Sequence, residues 1–310
     1  MSDSEILVPP PTGSGVAFVT GAAGFLGGAV AGALVRGGWR VAGFDVMQGW
    51  AGGCAHWITG EVAREGLARA AAEIGAPEII FHAAGGSSVG ASVADPEADF
   101  ARTVLSLRET LAFMAQHAPD VRLIYPSSAA VYGAAEAGPV EESAWLQPIS
   151  PYGRNKLQAE FEIATARVNA VVLRFFSLYG PGLRKQLLWD LATRLAAGPD
   201  RLELSGTGEE LRDFLFIDDA VRLVGLAASG RSTILNGGRG EAVSVREAAA
   251  TLARALGSKA EIGFSGEARA GDPQALVADV SKARAFGVAP RVGFEEGVRR
   301  YARWFQGLPP

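Results

Sequence analysis

Residues 15–27 read GVAFVTGAAGFLG, and this stretch decides the fold. It opens with a short run of β-branched and aromatic residues ending at a glycine, which is typical of a buried strand in a parallel sheet. Gly21, Gly24 and Gly27 come next, and then apolar residues at helical spacing. A purely structural turn could look the same. The order strand, glycine loop, helix nevertheless favours a phosphate site, because glycines allow close backbone approach and the helix N-terminus attracts anions.

The next predicted strand, residues 40–46, carries an acid near its end. This residue, Asp45, lies 18 positions after Gly27. A carboxylate there hydrogen-bonds the adenosine ribose hydroxyls and repels a 2′-phosphate, so the pattern favours NAD over NADP. The alternative is that Asp45 is simply a solvent-exposed carboxylate at the end of a strand.

Strands and helices alternate from residue 15 to about 180, which predicts βαβ units. We therefore predict an α/β fold: a doubly wound parallel sheet (Rossmann) with a smaller, interleaved C-terminal α/β lobe. Within it we expect a continuous helix over 99–117 and strands over 56–62 and 169–180. The predicted division is a flexible leader at 1–14, an NAD-binding domain at 15–178 and 213–238, and a substrate lobe at 179–212 and 239–310.

Composition excludes several classes of function. The 310 residues carry a net charge of −4, which argues against a nucleic-acid surface. The single cysteine, Cys54, excludes an internal disulfide framework and a cysteine-based zinc site, so no metal is expected. It also fits a reducing cytoplasm. The N-terminal residues lack the features of a signal peptide, and no run of eighteen apolar residues predicts a membrane span.

A tyrosine and a lysine, Tyr152 and Lys156, stand one turn apart on a predicted helix. Such a pair occurs by chance on many helices, but this one lies shortly after Ser128, at the end of a predicted strand. Ligands of open α/β sheets bind at the carboxyl ends of the strands. Four predicted strand ends carry Gly21, Ala84, Ser128 and Ser177. A lysine ammonium and a cationic nicotinamide ring would lower the phenol pKa and make the tyrosine a usable base.

Together these motifs resemble the extended short-chain dehydrogenase/reductases, of the nucleotide-sugar epimerase/dehydratase family. The matching segments are TGAAGFLG (20–27), Asp45, GEV (60–62), HAAGGSSVGASVADP (82–96), SSAAVYG (127–133), Tyr152 to Lys156, LRFFSLYGPG (173–182), GTGEELRDFLFIDDA (206–220) and EARAGDPQALVADVSKA (267–283). They keep the family's order over nearly the whole chain.

The resemblance implies a role for each matching residue. NAD would be held by Gly21, Gly24, Phe25, Leu26, Gly27, Asp45, Glu61, Val62, Ala83, Ala84, Gly85, Tyr152 and Lys156. The catalytic set would be Ser128, Tyr152 and Lys156. The substrate, a nucleotide-diphosphate sugar with UDP favoured, would meet Ser87, Ser128, Ser177, Arg212 and Arg269. For both arginines, surface charge is the alternative. The resemblance also implies a homodimer formed through the Tyr/Lys helix and the helix before it.

Several positions depart from the family pattern and bear on the substrate. Ser177 stands where an asparagine is usual, Thr103 replaces another asparagine, and Ser87 occupies a place that holds lysine in some epimerases. The segment 182–195, GLRKQLLWDLATRL, also differs from the common substrate-loop sequences.

The two alanines in SSAAVYG indicate the reaction. Dehydratases of the family need an acidic pair after the catalytic hydroxyl, where this chain has Ala129 and Ala130. A methyl group cannot transfer a proton, so 4,6-dehydration is disfavoured, and decarboxylation is also disfavoured. The leading hypothesis is an NAD-dependent epimerase that oxidises and re-reduces C4 of the sugar. The alternatives are a reductase of a nucleotide-linked 4-keto sugar and a non-catalytic NAD-binding sensor.

Overall fold

The computed structural model describes Gly13 and residues 15–49, 52–134, 138–267 and 274–309. Its strands are β1 (Val16–Thr20), β2 (Arg40–Asp45), β3 (His56–Thr59), β4 (Ile79–His82), β5 (Arg122–Ser128), β6 (Pro139–Val140), β7 (Ala170–Phe175), β8 (Ser177–Tyr179), β9 (Arg201–Leu204), β10 (Leu211–Arg212), β11 (Phe214–Phe216), β12 (Thr233–Gly237), β13 (Val243–Ser244), β14 (Glu261–Phe264) and β15 (Ala275–Ala278). The predicted leader, apart from Gly13, lies outside the described residues.

Helices connect these strands. They are α1 (Phe25–Arg36), α2 (Arg64–Ile74), α3 (Val89–Ala94), α4 (Pro96–Phe100), α5 (Ser106–His117), α6 (Pro151–Ala166), α7 (Gln186–Ala196), α8 (Ile217–Ser229), α9 (Val245–Leu256), α10 (Ser281–Ala285) and α11 (Phe294–Gln306). A π-helical turn, Ala101–Leu105, joins α4 to α5, and a 3₁₀ turn, Ala129–Val131, comes directly after β5.

A seven-stranded sheet forms the centre of the molecule. Its strand order is β12-β7-β5-β4-β1-β2-β3, and every neighbouring pair is parallel. The order runs outward from β1 in both directions, so the chain reverses its direction of winding between β1 and β4. The predicted doubly wound α/β fold is confirmed, and the carboxyl ends of β1, β4 and β5 meet at one edge.

Helices cover both faces of this sheet because its strands are apolar on both sides. On one face, α1 and α8 bury residues such as Leu34 and Leu223 against the sheet. On the other, α2, α5 and α6 bury residues such as Leu67, Phe113 and Ile163. These two layers hold the sheet edge, and any site on it, in a fixed place.

A third core lies beyond the sheet edge. Helices α7, α9 and α11 pack on β8, β9 and β11 and bury apolar side chains between them. Tyr179 is at its centre, in edge-to-face contact with Phe214 and Phe216, and its hydroxyl donates to the carbonyl of Phe294 at 3.2 Å. Among the described residues, no helix combines the length and the apolar character that crossing a bilayer requires.

Three predicted elements have different bounds in the structure. The helix expected over 99–117 begins at Pro96, capped by Asp95, and is interrupted by the π-helical turn. The strand expected over 169–180 is divided at Phe176, because the backbone changes partner: Phe176 N donates to Gly237, and Ser177 N donates to Asp213. The strand expected over 56–62 ends at Thr59, before Gly60 with φ of +136°.

Candidate active site

A cavity of about 1190 Å³ opens at the carboxyl edge of the sheet. All the sequence-predicted site residues within the described part of the chain line it. They are Gly21, Gly24, Phe25, Leu26, Gly27, Asp45, Glu61, Val62, Ala83, Ala84, Gly85, Ser87, Ser128, Tyr152, Lys156, Ser177 and Arg212. Arg269 lies outside the described residues.

Contacts within the protein require glycine at two positions of the glycine loop. Gly21 has φ of +65°, and a Cβ there would lie 2.7 Å from the backbone of Ala83. A Cβ at Gly27 would lie 2.0 Å from the carbonyl oxygen of Gly21. Glycine is therefore required at both positions before any ligand arrives. The resulting tight turn brings the N-terminus of α1 to the cavity, where its free N–H groups suit a pyrophosphate.

Asp45 stands at the end of β2, beside this loop. Its Oδ2 accepts a hydrogen bond from Ala23 N at 2.9 Å, and its Oδ1 accepts one from Met47 N at 3.0 Å. A carboxylate has about four acceptor positions, so capacity remains for the hydroxyls of a ribose. The glycine turn and Asp45 together fit the pyrophosphate and adenosine ribose of NAD.

The predicted catalytic residues come from two neighbouring elements. Ser128 is the last residue of β5, and its hydroxyl accepts from Ala130 N at 3.2 Å. Tyr152 and Lys156 lie in the first two turns of α6, whose start is fixed by Ser150: its hydroxyl accepts from Gly153 N at 3.1 Å. Because β5 and α6 pack against each other, all three side chains line the same cavity.

The phenol and ammonium are held close together. The Nζ atom of Lys156 donates to the carbonyl of Pro126 at 2.9 Å and lies 5.9 Å from the centre of the Tyr152 ring. Burial raises the pKa of Tyr152, the Ser128 hydroxyl opposes this by hydrogen bonding, and Asp99 adds to the rise. In the protein without its cofactor, therefore, the phenol pKa is raised, and the lowering expected with a cationic nicotinamide ring bound stays a prediction.

Burial acts on Lys156 in the opposite sense. It lowers the pKa of this ammonium to about 8, against the opposing effect of Asp99 and Glu160. The lysine is only 4% exposed, so its charge depends on the two carboxylates that face it. Its protonation thus changes close to neutral pH.

Asp99 is a site residue that sequence reasoning missed. Its side chain is buried, its Oδ2 accepts from Asn155 Nδ2 at 2.7 Å, and a Cβ on Gly86 would overlap its Oδ1. It thus lies directly behind the cavity wall, next to the residue that precedes Lys156. In the sequence it resembles any acidic residue in the first turn of a helix, and only the fold places it here.

A buried histidine organises the same wall. His82 Nδ1 lies 3.1 Å from Thr20 Oγ1 and 3.0 Å from Thr110 Oγ1, and burial lowers its pKa to about 3, so it is neutral. Thr20 also accepts from Ala84 N at 3.0 Å. In the π-helical turn, Thr103 accepts from Gly86 N at 2.8 Å. These hydroxyls fix the loop after β4.

A second buried network lies beneath Ser128. Arg174 donates to Glu160 from Nε at 3.0 Å and from Nη2 at 2.7 Å, and both side chains are almost fully buried. Ser127 donates to the same carboxylate, and Arg174 also donates to the hydroxyl of Tyr132 at 3.1 Å. The network joins β5, β7 and α6 and so fixes the relative positions of Ser128 and the Tyr/Lys helix.

The opposite wall of the cavity belongs to the third core and its loops. Arg212, Leu187, Leu191 and Val245 line it. Lys185, just before α7, also lines the cavity, and its Nζ donates to the carbonyl of Ser87 at 3.3 Å. The sequence of segment 182–195 differs from the common substrate-loop sequences, but it does not predict the contact between Lys185 and Ser87.

Comparison with known proteins agrees with this geometry. The sequence model of the NAD dependent epimerase/dehydratase family matches residues 17–239. The chain belongs to this family. It is an NAD-dependent enzyme of the extended short-chain dehydrogenase/reductase type, as the sequence predicted.

Individual relatives are nucleotide-sugar enzymes. A UDP-glucose 4-epimerase of Azospirillum brasilense is 31% identical over 258 residues, covering 74% of each chain. The Thermus thermophilus UDP-glucose 4-epimerase, in complex with NAD, is 29% identical with a TM-score of 0.85, over 94% of this chain and 99% of that one. MoeE5, in complex with UDP-glucuronic acid and NAD, is 30% identical with a TM-score of 0.84, over 94% and 98%. These two solved relatives therefore share the fold of this chain, and both bind NAD.

Proposed function

We propose that this enzyme is a nucleotide-sugar epimerase that inverts C4 of the sugar through Ser128, Tyr152 and Lys156. The observation that carries the proposal is their meeting in one cavity beside a turn without ionisable side chains, Ala129–Val131. Relatives named as UDP-glucose 4-epimerases support the reaction class.

In the proposed mechanism Tyr152 handles the proton of the sugar O4. NAD, when bound, supplies a hydride acceptor and then a hydride donor at C4. The ionised phenol would take the proton of O4 when C4 is oxidised, and would return it to O4 when C4 is reduced from the opposite face of the sugar. Ser128 donates to the phenol oxygen and stabilises its ionised form. Lys156 supplies positive charge close to the phenol and a free donor for the cofactor ribose.

The residues after Ser128 argue against elimination of water. Ala129 is buried and Ala130 lines the cavity, so neither position offers an acid or a base to the sugar. The described wall around the catalytic tyrosine thus supports redox at one carbon. A 4-keto-6-deoxy product would contradict this.

The proposed substrate is a UDP-sugar, with the nucleotide on the wall formed by the proposed second lobe, residues 179–212 and 239–310. Leu187, Leu191 and Val245 provide an apolar surface there. The Arg212 guanidinium beside them suits a diphosphate, because its planar donors match phosphate oxygens. Relatives bound to UDP-sugars support this assignment.

We also propose a homodimer formed through α4, the π-helical turn and α6. These neighbouring elements expose Phe100, Leu105 and Phe161, which are 36%, 43% and 58% accessible. Large exposed apolar side chains on neighbouring elements are typical of an interface. Sedimentation of the wild type and of Phe161→Glu tests it: the wild type should be a dimer and the variant a monomer.

Cytoplasmic location is a further part of the proposal. It rests on the single cysteine, Cys54, which leaves no second cysteine for an internal disulfide and so fits a reducing compartment. Cell fractionation tests the location; recovery of the enzyme with the cell envelope would contradict it.

The main test is incubation of the purified holoenzyme with UDP-glucose, UDP-galactose and their uronic acids. Proton NMR should show inversion at C4 without net change in NADH absorbance. Tyr152→Phe should retain NAD and abolish turnover. A stoichiometric change in absorbance that requires added NADH would support the reductase instead, and retained activity of the variant would exclude Tyr152 as the acid/base.

A further inference from the structure

Resting on the proposed function, we propose that the sugar carries a carboxylate, which Lys185 recognises. The ammonium of Lys185 donates to the carbonyl of Ser87, a cavity-lining residue that the family resemblance assigns to the substrate, so we place it near the sugar. The substrate class is then a nucleotide-linked uronic acid.

The first argument is charge. Lys185 is partly buried, and burial lowers its pKa. Among the described residues its hydrogen-bond partner is the neutral Ser87 carbonyl, and no carboxylate forms an ion pair with it. Asp190, which lines the same cavity from α7, does not pair with it. A half-desolvated ammonium with a neutral partner is stabilised by an anionic ligand.

The second argument is the position of Lys185 in the chain. It is the N-cap of α7, the end of a helix that favours negative rather than positive charge. A lysine there is unfavourable for the helix. Both the lysine and the free N–H groups of the first turn would gain from an anion in the cavity.

The third argument is backbone strain. Gln186, the next residue, has φ of +67°, a left-handed conformation that is unfavourable for a side chain other than glycine. Such strain persists where the surroundings impose it, often at ligand sites. Here it turns the chain between the loop and α7, and both residues line the cavity, with Lys185 the more buried of the two.

Ser177 is consistent with the same substrate. It lines the cavity at the start of β8, where the family usually has the larger asparagine. A serine leaves more room and offers a hydroxyl donor, both of which suit a carboxylate substituent.

The test compares UDP-glucuronate with UDP-glucose on the holoenzyme, for wild type, Lys185→Gln and Lys185→Arg. Both binding, by calorimetry, and kcat/KM are measured. We expect the wild type to prefer the uronate, and Lys185→Gln to lose about 10- to 100-fold on UDP-glucuronate with little change on UDP-glucose, as for a hydrogen bond between charged groups. Lys185→Arg should retain most of the preference. Lys259→Gln, at an exposed lysine, is the matched control.

Equal losses of affinity and kcat/KM on both sugars would overturn the proposal. Lys185 would then bind the diphosphate, or would only hold the Ser87 carbonyl in place. A wild type that binds UDP-glucose as tightly as UDP-glucuronate would also overturn it. The binding ratio decides this inference even if neither sugar is turned over, whereas absence of C4 inversion would count against the proposed reaction.

Discussion

Asn155 donates a 2.7 Å hydrogen bond to Asp99, a carboxylate that is 4% exposed, and so anchors it beside the catalytic lysine. A buried carboxylate is costly unless it is hydrogen-bonded and neutralised. Asp99 has both kinds of partner, because Lys156 is the next residue after Asn155 and feels its charge. We therefore assign Asp99 as a positioning residue that helps keep the ammonium protonated.

Asp99→Asn should shift the alkaline limb of the kcat/KM profile to lower pH. Lys156 must be protonated to act, and its pKa of about 8 already lies below the usual range because of burial. Removing a carboxylate that raises this pKa lets it fall further, so activity is lost at a lower pH than in the wild type. The pH profile of the holoenzyme measures this.

Several other groups face Lys156 and are unchanged in this variant. They are Glu160 and Tyr152 on α6, Tyr125 on β5 and His82 on β4. Glu97→Gln, at an exposed acid on the same helix as Asp99, is the control and should leave the profile in place. An alkaline limb that does not move in Asp99→Asn would show that Asp99 is merely structural.

Substitution of the adjacent residues Ser127 and Ser128 should affect stability in one case and catalysis in the other. Ser128→Ala removes the donor to the phenol and should lower kcat about 10- to 100-fold. Ser127→Ala instead removes a buried bond to Glu160 and should cost about 1–2 kcal/mol of stability with a much smaller effect on kcat. Steady-state kinetics and urea unfolding measure the two effects. If the two variants had the same kcat, the assignment of Ser128 would fail.

The Glu160–Arg174 pair should be essential to folding. Arg174→Met leaves the Glu160 carboxylate buried without its cation, which should cost about 3–5 kcal/mol. Arg108 of α5 forms a comparable but surface-exposed pair with Glu162 of α6, so Arg108→Met should change stability little. Chemical denaturation of both variants tests the contrast; equal losses would contradict it.

Gly27→Ala should prevent the glycine turn from closing. Its Cβ would lie 2.0 Å from a carbonyl oxygen that cannot move away, so we expect a lower Tm and loss of NAD binding. Gly66→Ala is the matched control inside α2, where the nearest atom is 3.7 Å away; it should stabilise by about 0.5–1 kcal/mol. Normal NAD affinity in Gly27→Ala would disprove the packing explanation.

The fold and the outline of the site could be predicted from local patterns. The glycine turn, Asp45, Ser128 and the Tyr152–Lys156 pair each indicate a strand end or a helix face, and parallel strands bring such ends together. Asp99 and Lys185 could not be predicted, because each gains its role from a contact with a distant segment. The rise that burial causes in the phenol pKa also could not be predicted, because it depends on how deeply the fold encloses Tyr152.

Because the π-helical turn at Ala101–Leu105 joins α4 to α5, the number of residues in this connection affects the site as much as their identity. Each residue added to a helix rotates the part before it by about 100° relative to the part after it. Asp99 lies before the turn and meets Asn155, while Thr110 lies after it and meets His82. Deleting one residue would leave a regular helix but rotate one of these contacts out of place. Loss of a single residue from this segment should therefore displace Asp99 or Thr110 even though every remaining side chain is kept.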